Sequence, residues 1–493
     1  MMTTKKSLLM YPLILMITII SYISLHGFLV GEQFQQIYNI MLILLAVVAA
    51  LVIFLQEKLK LTHMIFAVMI GGMILRLGYM SYTWFFVRAH DVYFFGDYGH
   101  LEYVKSLMTG HFPKDNSGQF YQPPLHHMLS AVVATITKSV SSVWEESSYD
   151  VIKIVPAFFS CALLVVFYRI CSELRLTKKT TLWVMILLSF HPTFIVLAGS
   201  VNNDMSMIFF FCLSILATIR WYNHPSYGKI TLIAIWIGCS MMTKVSGGMV
   251  ALFTGPVFLA VLIKQIQARD KNQLTHLVKQ FVLFGLICFP LGLWYPIRNW
   301  ILYKQSFNYV VLLDRNVVPF LYNGDVGWTE RFLPFSFGEW VRTPYAVVNQ
   351  DNNLWSFLVK TSIFGESAVE QRSHAVAIIL LISAVLLALL SLGSMVYVLK
   401  NGRAVHPLAR FGFFGIWLVQ ILSFIGFNVA YPFRCTMDAR YVVPAIIVSI
   451  FYLGIGMNEL YVRQNQSVAV KIIYRMICGI ILIFCCAAAL FYA

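Results

Sequence analysis

LHHMLSAVVATITKSVSSV, residues 125–143, sets the topology of the whole chain. It is apolar enough to pass for a membrane span, yet it carries Lys138 and ends in serines. Counted as a span, it reverses the direction of every later helix. Counted as a helix along the outer membrane surface, with its apolar face in the interface, it leaves the alternation of spans intact. The placement of lysine and arginine chooses between the two.

The composition is that of an integral membrane protein. Of 493 residues, 59% are hydrophobic and 12% charged, and mean hydropathy is +0.76; a water-soluble domain carries about a quarter charged residues. A disordered tail protein, a secreted disulfide scaffold and a nucleic-acid binder are excluded, because the net charge of +15 rests on 36 Lys and Arg spread thinly along the chain. Basic charge is then a topology signal first. Most of the nine cysteines (Cys161, Cys212, Cys239, Cys288, Cys478, Cys485 and Cys486) sit in apolar runs without metal-like spacing and read as small apolar fillers. Cys435 is expected near water on the outer side.

A helix needs roughly 20 apolar residues to cross the hydrocarbon core. Such segments fall at 8–30, 37–55, 62–86, 151–172, 179–200, 205–222, 229–247, 248–266, 278–300, 375–400, 407–432, 439–461 and 472–492, about thirteen in all. The first exceeds the ~7–15 residues of a signal-peptide core and is read as a span. With Lys5 and Lys6 in the cytoplasm, alternation places Lys58/Lys60, Arg169/Arg175/Lys178/Lys179, Arg220/Lys229, Lys264/Arg269/Lys271/Lys279, Lys400/Arg403/Arg410 and Arg463/Lys471/Arg475 there too. That obeys the positive-inside rule, and it holds only if 125–143 is not a span. The expected fold is all-α and polytopic, one transmembrane domain over 1–493, with a cytoplasmic N-terminus and an external C-terminus. Two long external loops remain, 87–150 with juxtamembrane helices and 301–374. Connections of this length are usually functional.

The first loop carries HDVYFFGDYGHLEYVKSLMTGHFPKDNSGQFYQPPLHHMLS, residues 90–130. Asp97, His100 and Glu102 lie just beyond a span, where acids are costly unless they face water or a polar cavity. Asp97 either does chemistry or caps a short helix over His100–Met108; Asp91 is its substitute if the register differs. Gln122-Pro123-Pro124-Leu125 is an extended entry to the interfacial helix, because the residue before a proline is pushed out of the helical region. Both loops are rich in aromatic rings, which either anchor at headgroup level or present flat faces to sugar rings. His111, His126 and His127 either touch hydroxyls or are hydrogen-bonded structural residues. Arg76, inside the third span, pairs with an acid or snorkels.

These residues resemble the first external loop of the polytopic C-type (GT-C) glycosyltransferases. Asp97-x-Gly99-His100-Leu101-Glu102-Tyr103-Val104, Gly110-x-x-Pro113 and Tyr121-Gln122-Pro123-Pro124-Leu125 carry the likeness, which within that group is similar to the branch of protein O-mannosyltransferases and aminoarabinose transferases and to bacterial envelope glycosyltransferases. Ser200-Val201-Asn202-Asn203-Asp204, Thr243-Lys244-x-x-Gly247, Arg298-Asn299-Trp300, Phe364-Gly365-Glu366 and Arg440-Tyr441-x-x-Pro444 follow in family order. His126-His127 stand where an aromatic pair is common, and Gln122 replaces a lysine of the aminoarabinose branch. The resemblance implies inverting transfer of a monosaccharide from a polyprenyl-phosphate donor on the external face of a bacterial plasma (inner) membrane. It also implies Asp97 as first-loop acid and Asp204 as second acid.

Elementary chemistry asks for the same parts. Moving a sugar from a lipid phosphate to a hydroxyl needs a base at the acceptor, worth ~10²–10⁴-fold, and cations on the leaving phosphate in a preorganised setting. Asp97 is the candidate base. Lys244, Arg298 and Arg440, at span ends, are candidate phosphate ligands; alternatively Lys244 snorkels and Arg298 contacts headgroups. His100, Glu102, Tyr121, Gln122 and His126 are candidate substrate contacts. Asp97 and Asp204, with Asn202 or His100, offer ligands of the kind a divalent metal accepts, although Asp204 could equally cap the helix after it. Expected partners are a lipid-linked sugar, membrane lipids and an acceptor glycan, lipid or protein. The competing classes are a flippase for lipid-linked sugars, which would need repeated halves and mid-bilayer charges, and a non-enzymatic envelope-assembly protein.

Overall fold

The computed structural model describes residues 8–30, 40–41, 43–45, 47–48, 60–83, 92–93, 98–141, 144–307, 309–311, 313–333, 337–347, 350–365, 373–402 and 405–492. Asp91, Asp97, Glu366 and most of the expected span 37–55 lie outside the described residues. The helices are α1 (Met10–Val30), α2 (Leu61–Tyr82), α3 (His100–Met108), α4 (Leu125–Val140), α5 (Ile154–Glu173), α6 (Lys178–Phe190), α7 (Pro192–Val196), α8 (Asp204–Asn223), α9 (Tyr227–Thr243), α10 (Ala251–Ala268), α11 (Lys271–Tyr303), α12 (Trp328–Phe332), α13 (Phe337–Arg342), α14 (Leu354–Phe364), α15 (His374–Asn401), α16 (Phe413–Ala430), α17 (Val443–Arg463) and α18 (Val468–Tyr492). Among the described residues the only β pairing is an isolated bridge between Tyr322 and Phe433.

The chain is an integral, multi-pass membrane protein. Nine helical segments among the described residues are long and apolar enough to cross a membrane, or ten if Lys178–Phe190 and Pro192–Gly199, bent by 53°, form one span. The expected figure of about thirteen is not reached among the described residues. Met10–Ser24 and Tyr227–Thr243 are apolar but shorter, and 37–55 is mostly undescribed.

The chain divides into two compact units. Met1–Ser24, Thr83–Arg175 and Leu197–Val311 form the first; Leu25–Tyr82, Leu176–Val196 and Leu312–Ala493 form the second. In the first, α5 and α8 are buried along most of their length, while α10 and α11 expose Leu252, Leu259, Ile263, Val282, Leu286 and Phe289. Helices apolar on every side belong in a protein interior or against lipid. At the start of α5, Lys153 Nζ lies 2.7 Å from Asp150 Oδ1, both side chains fully buried, and also donates to the Thr83 carbonyl.

Helix α4 has the sidedness expected of an interfacial helix. It buries His126, His127, Ser130, Ala131 and Ala134 and exposes Met128, Val132, Ile136 and Val140. The exposed residues recur every four positions, so one face is an apolar stripe. Water disfavours such a stripe, and the headgroup–acyl boundary accepts it.

In the second unit, α17 is central and α2 packs on α6. Gly72 makes that approach close, since a Cβ there would stand 2.7 Å from the Ser189 side chain. Small residues let membrane helices meet at this range. Arg76 is fully buried, and its guanidinium meets helix carbonyls. Its Nη2 donates to the Leu188 carbonyl at 2.9 Å and Nη1 to the Ser189 carbonyl at 2.7 Å. Pro192, four residues beyond Leu188, has no N–H to give, and the Thr193 N–H turns to His191 Nδ1. Arg76 thus satisfies carbonyls that the break in α6 would leave bare.

Candidate active site

The first unit assembles its polar centre from four segments: the entry to α4, the start of α8, the end of α9 and one face of α11. Gln122 is extended (φ −67°, ψ 142°), as the following proline requires, and α4 starts directly after Pro124. Its buried face carries two histidines into the unit. His126 Nδ1 lies 2.8 Å from Ser206 Oγ. His127 Nε2 lies 2.8 Å from His100 Nδ1, and the Tyr103 ring stacks on His127 with centroids 4.1 Å apart. Burial, and the neighbouring His100, push His126 down to about 3. Burial, with His100 and His126, holds His127 well below the usual histidine range. Both are therefore neutral hydrogen-bonding groups at physiological pH.

The acid expected from the second short loop is the first residue of α8. Asp204 is 1% exposed, and its Oδ1 receives Lys244 Nζ at 2.6 Å. Its carboxylate therefore pairs with a lysine rather than capping the helix; the N-cap position is Asn203. Asn203 Nδ2 donates to Gln122 Oε1 at 3.2 Å and to the Thr243 carbonyl at 2.8 Å. It thereby joins the entry of α4 to the end of α9, where a last-turn carbonyl needs a donor. Lys244 leaves the helix in an extended conformation (φ −156°, ψ 129°), and the chain folds back so that Gly247 N–H donates to the Lys244 carbonyl at 2.8 Å. A Cβ at Gly247 would sit 2.3 Å from Ser240 Oγ and 2.7 Å from the Ser240 backbone. The glycine of the Thr-Lys-x-x-Gly turn is therefore a packing requirement that puts Lys244 on Asp204.

One face of α11 holds the loop in front of this centre. Tyr103 Oη donates to Tyr295 Oη at 2.8 Å, and Tyr295 Oη donates to the Phe120 carbonyl at 2.7 Å. Arg298 Nη2 reaches the Pro113 carbonyl at 3.1 Å, Nη1 reaches Asn299 Oδ1 at 2.9 Å, and the guanidinium lies 5.3 Å from the Tyr295 ring centroid. Tyr303 Oη donates to the Lys114 carbonyl at 2.7 Å. Gln122 Nε2 donates to Tyr121 Oη at 2.9 Å, and the Tyr121 ring meets Tyr309 edge-on.

The structure thus joins Tyr121, Gln122, His126, Asp204 and Lys244 in one hydrogen-bonded region of the first unit. It gives Arg298 a loop-holding part. Glu102 is drawn to Lys105 Nζ at 2.6 Å, and Lys105 also lies 3.0 Å from Glu146. Arg440 lies in the second unit, where Nε is 3.9 Å from Asp438 Oδ2. Asn203 and Thr243 stand in motifs that the sequence offered without a role of their own, whereas Ser206 and Tyr295 were not singled out. A usable signal existed for Tyr295, a hydroxyl in an apolar run beside Pro296. No group of three or more His, Cys, Asp or Glu suited to a metal occurs among the described residues. Asp204 Oδ1 and Asn202 Oδ1 are already engaged, by Lys244 and by the Asp204 N–H.

Residues 108–310 match the family described as dolichyl-phosphate-mannose-protein mannosyltransferase. The match supports a membrane glycosyltransferase of the C type. It spans Gln122, His126, Asp204, Lys244 and Arg298, and it stops short of Arg440. None of the curated proteins matches the chain. Among solved structures, the chain is similar to the archaeal oligosaccharyltransferase AglB from Archaeoglobus fulgidus, in complex with an inhibitory peptide and a dolichol-phosphate. Identity is 12%, the TM-score 0.39, and the alignment covers 79% of this chain and 51% of that one. The chain spans about half the length of that protein.

Proposed function

We propose that this protein moves a monosaccharide from a polyprenyl-phosphate donor to an acceptor hydroxyl at the external face of the membrane, with inversion at the anomeric carbon. The observation that carries the reading is the Lys244–Asp204 pair, buried at the start of α8 inside the stretch matched by the mannosyltransferase family. A phosphate leaving group gathers negative charge as the glycosidic bond breaks, and a cation fixed in a poorly solvated place stabilises it without reorganisation. Lys244 is that cation, and Asp204 holds it in place. Asp97 is the base that takes the acceptor proton in this reading. Gln122 and Tyr121 contact the sugar, and neutral His126 fixes α4 to Ser206 so that both stay in register. Arg298 acts on the donor only through the loop it holds.

A flippase would need unpaired charge within the span region. Arg76, the main charge inside a span, donates to the Leu188 and Ser189 carbonyls, a structural use. The test is purified protein in lipid nanodiscs given dolichyl-phosphate-mannose and a panel of other polyprenyl-phosphate sugars, each with hydroxyl-bearing peptide, glycan and lipid acceptors, with release of free carrier phosphate as readout. Turnover that falls in Asp97→Asn and Asp204→Asn is the expected result. Absence of release from every donor contradicts the reading, and retained turnover in Asp97→Asn removes that residue as base.

A further inference from the structure

Asn202 is a residue of this region whose hydrogen bonding is incomplete, as is that of His127 and Ser130 on the buried face of α4. Its side chain is 1% exposed. Its Oδ1 accepts from the Asp204 N–H at 3.1 Å, while Nδ2 has no partner among the described residues. Exchanging the two ends of the carboxamide would aim its NH₂ group at another N–H, so the backbone donor fixes which end is which. The nitrogen is therefore held as a donor, two residues from the carboxylate that aims Lys244. Buried donors are almost always matched by an acceptor, and one left open beside a charged pair marks a place for a ligand oxygen.

We propose that Asn202 is a substrate-contacting residue whose carboxamide nitrogen donates to an acceptor oxygen in the headgroup of the lipid-linked sugar. The assignment rests on the donor reading above. It also makes Asn202 a hydrogen-bond donor to the substrate, in place of the metal ligand that its sequence position suggested. The acceptor oxygen belongs either to the phosphate or to a sugar hydroxyl, and two lipids separate these sources.

The experiment measures binding of dolichyl-phosphate-mannose and of dolichyl phosphate to nanodisc-embedded full-length protein, alongside thermal melting, for the native chain, Asn202→Asp and Asn202→Ser. Asn202→Asp keeps an oxygen for the Asp204 N–H and replaces only the donor. Asn202→Ser does the same without adding charge. The expected result is native-like melting and roughly tenfold weaker binding in both variants, the size of one lost polar contact. A loss for both lipids assigns the phosphate oxygen, and a loss only for the mannose-bearing lipid assigns a sugar hydroxyl. Native affinity for both lipids in folded variants overturns the proposal, as does early melting of both variants, which would make Asn202 structural. If the native protein binds neither lipid, the donor reading itself fails and the assignment goes with it.

Discussion

Set side by side, Lys360–Asp351 of the second unit and Lys244–Asp204 of the first show how burial alone separates little and completion of the hydrogen bonding separates much. In the second unit, Lys360 Nζ lies 2.7 Å from Asp351 Oδ1, with side chains 0% and 4% exposed. The other oxygen, Asp351 Oδ2, takes the Val347 N–H at 2.7 Å. Nearby, Arg434 clasps Asn352 Oδ1 and the Phe320 and Tyr322 carbonyls. Every polar atom of that aspartate has work within the fold. In the first unit, Asp204 bonds through Oδ1 alone among the described residues, its lysine is 17% exposed, and Asn202 beside it keeps an open donor. The first arrangement holds a loop; the second, in the function proposed above, meets the substrate.

The contrast is broken most forcefully from the loop side. Lys360→Met leaves the Asp351 carboxylate buried and unpaired, which costs about 3–5 kcal/mol, and denaturant unfolding in detergent should show a destabilised second unit. The Lys360→Met/Asp351→Asn double variant should recover much of that loss. Unchanged stability in the single variant would place the pair outside the fold's essential contacts. At the other pair, Lys244→Met should lower carrier release by about 10²-fold, comparable to losing one preorganised charge-stabilising donor. Because Lys244→Met also strips the buried Asp204 of its cation, release is read beside the Lys244→Met/Asp204→Asn double variant, which should regain stability and stay slow. Recovery of release in the double variant would erase the distinction between the pairs.

Acid sharpens the comparison at the α4 histidines. His126 titrates near 3 in the fold, against 6.5 in the unfolded chain. The unfolded chain therefore binds the proton first. The histidine contribution to stability is complete above about pH 6.5 and is lost as pH falls toward about 3, at up to about 1.4 kcal/mol per pH unit for each such histidine. Melting curves from pH 7 to pH 5 should move downward, and His126→Asn should flatten that dependence; an unaltered slope would show the imidazole to be irrelevant to it. The smallest effect is expected at Glu102→Gln. The Glu102–Lys105 pair is 28% exposed on both sides, and exposed pairs contribute little, so carrier release should change by less than about threefold. A larger loss would return Glu102 to the substrate.

Much of this was legible in the sequence because hydropathy and charge act locally. The apolar runs gave the long helices, and the lysine and arginine clusters made 125–143 an interfacial helix whose exposed stripe of Met128, Val132, Ile136 and Val140 the structure displays. Hydropathy made 179–200 one unbroken span and missed the 53° bend at Pro192. Nothing local said that the donor to the carbonyls before it would be Arg76, more than a hundred residues earlier. The same limit applied at the site. Asp204 and Lys244 were both singled out, but their pairing depends on Gly247 packing against Ser240 and on Asn203 spanning two helix ends. Arg298 looked like a phosphate ligand because its partners, the Pro113 carbonyl and the Asn299 side chain, depend on where a distant loop lies. Side chains whose partners are backbone carbonyls leave no complementary residue for a reader of sequence to find.

The central claim is that the Asp204–Lys244 pair serves sugar transfer rather than folding. Its most direct test is single-turnover release of dolichyl phosphate from dolichyl-phosphate-mannose by nanodisc-embedded protein supplied with a hydroxyl-bearing acceptor, comparing the native chain with Asp204→Asn at matched thermal stability. The account predicts measurable release by the native chain and a loss of about 10²-fold or more in the variant. Native-like release by a fully folded Asp204→Asn protein would contradict it.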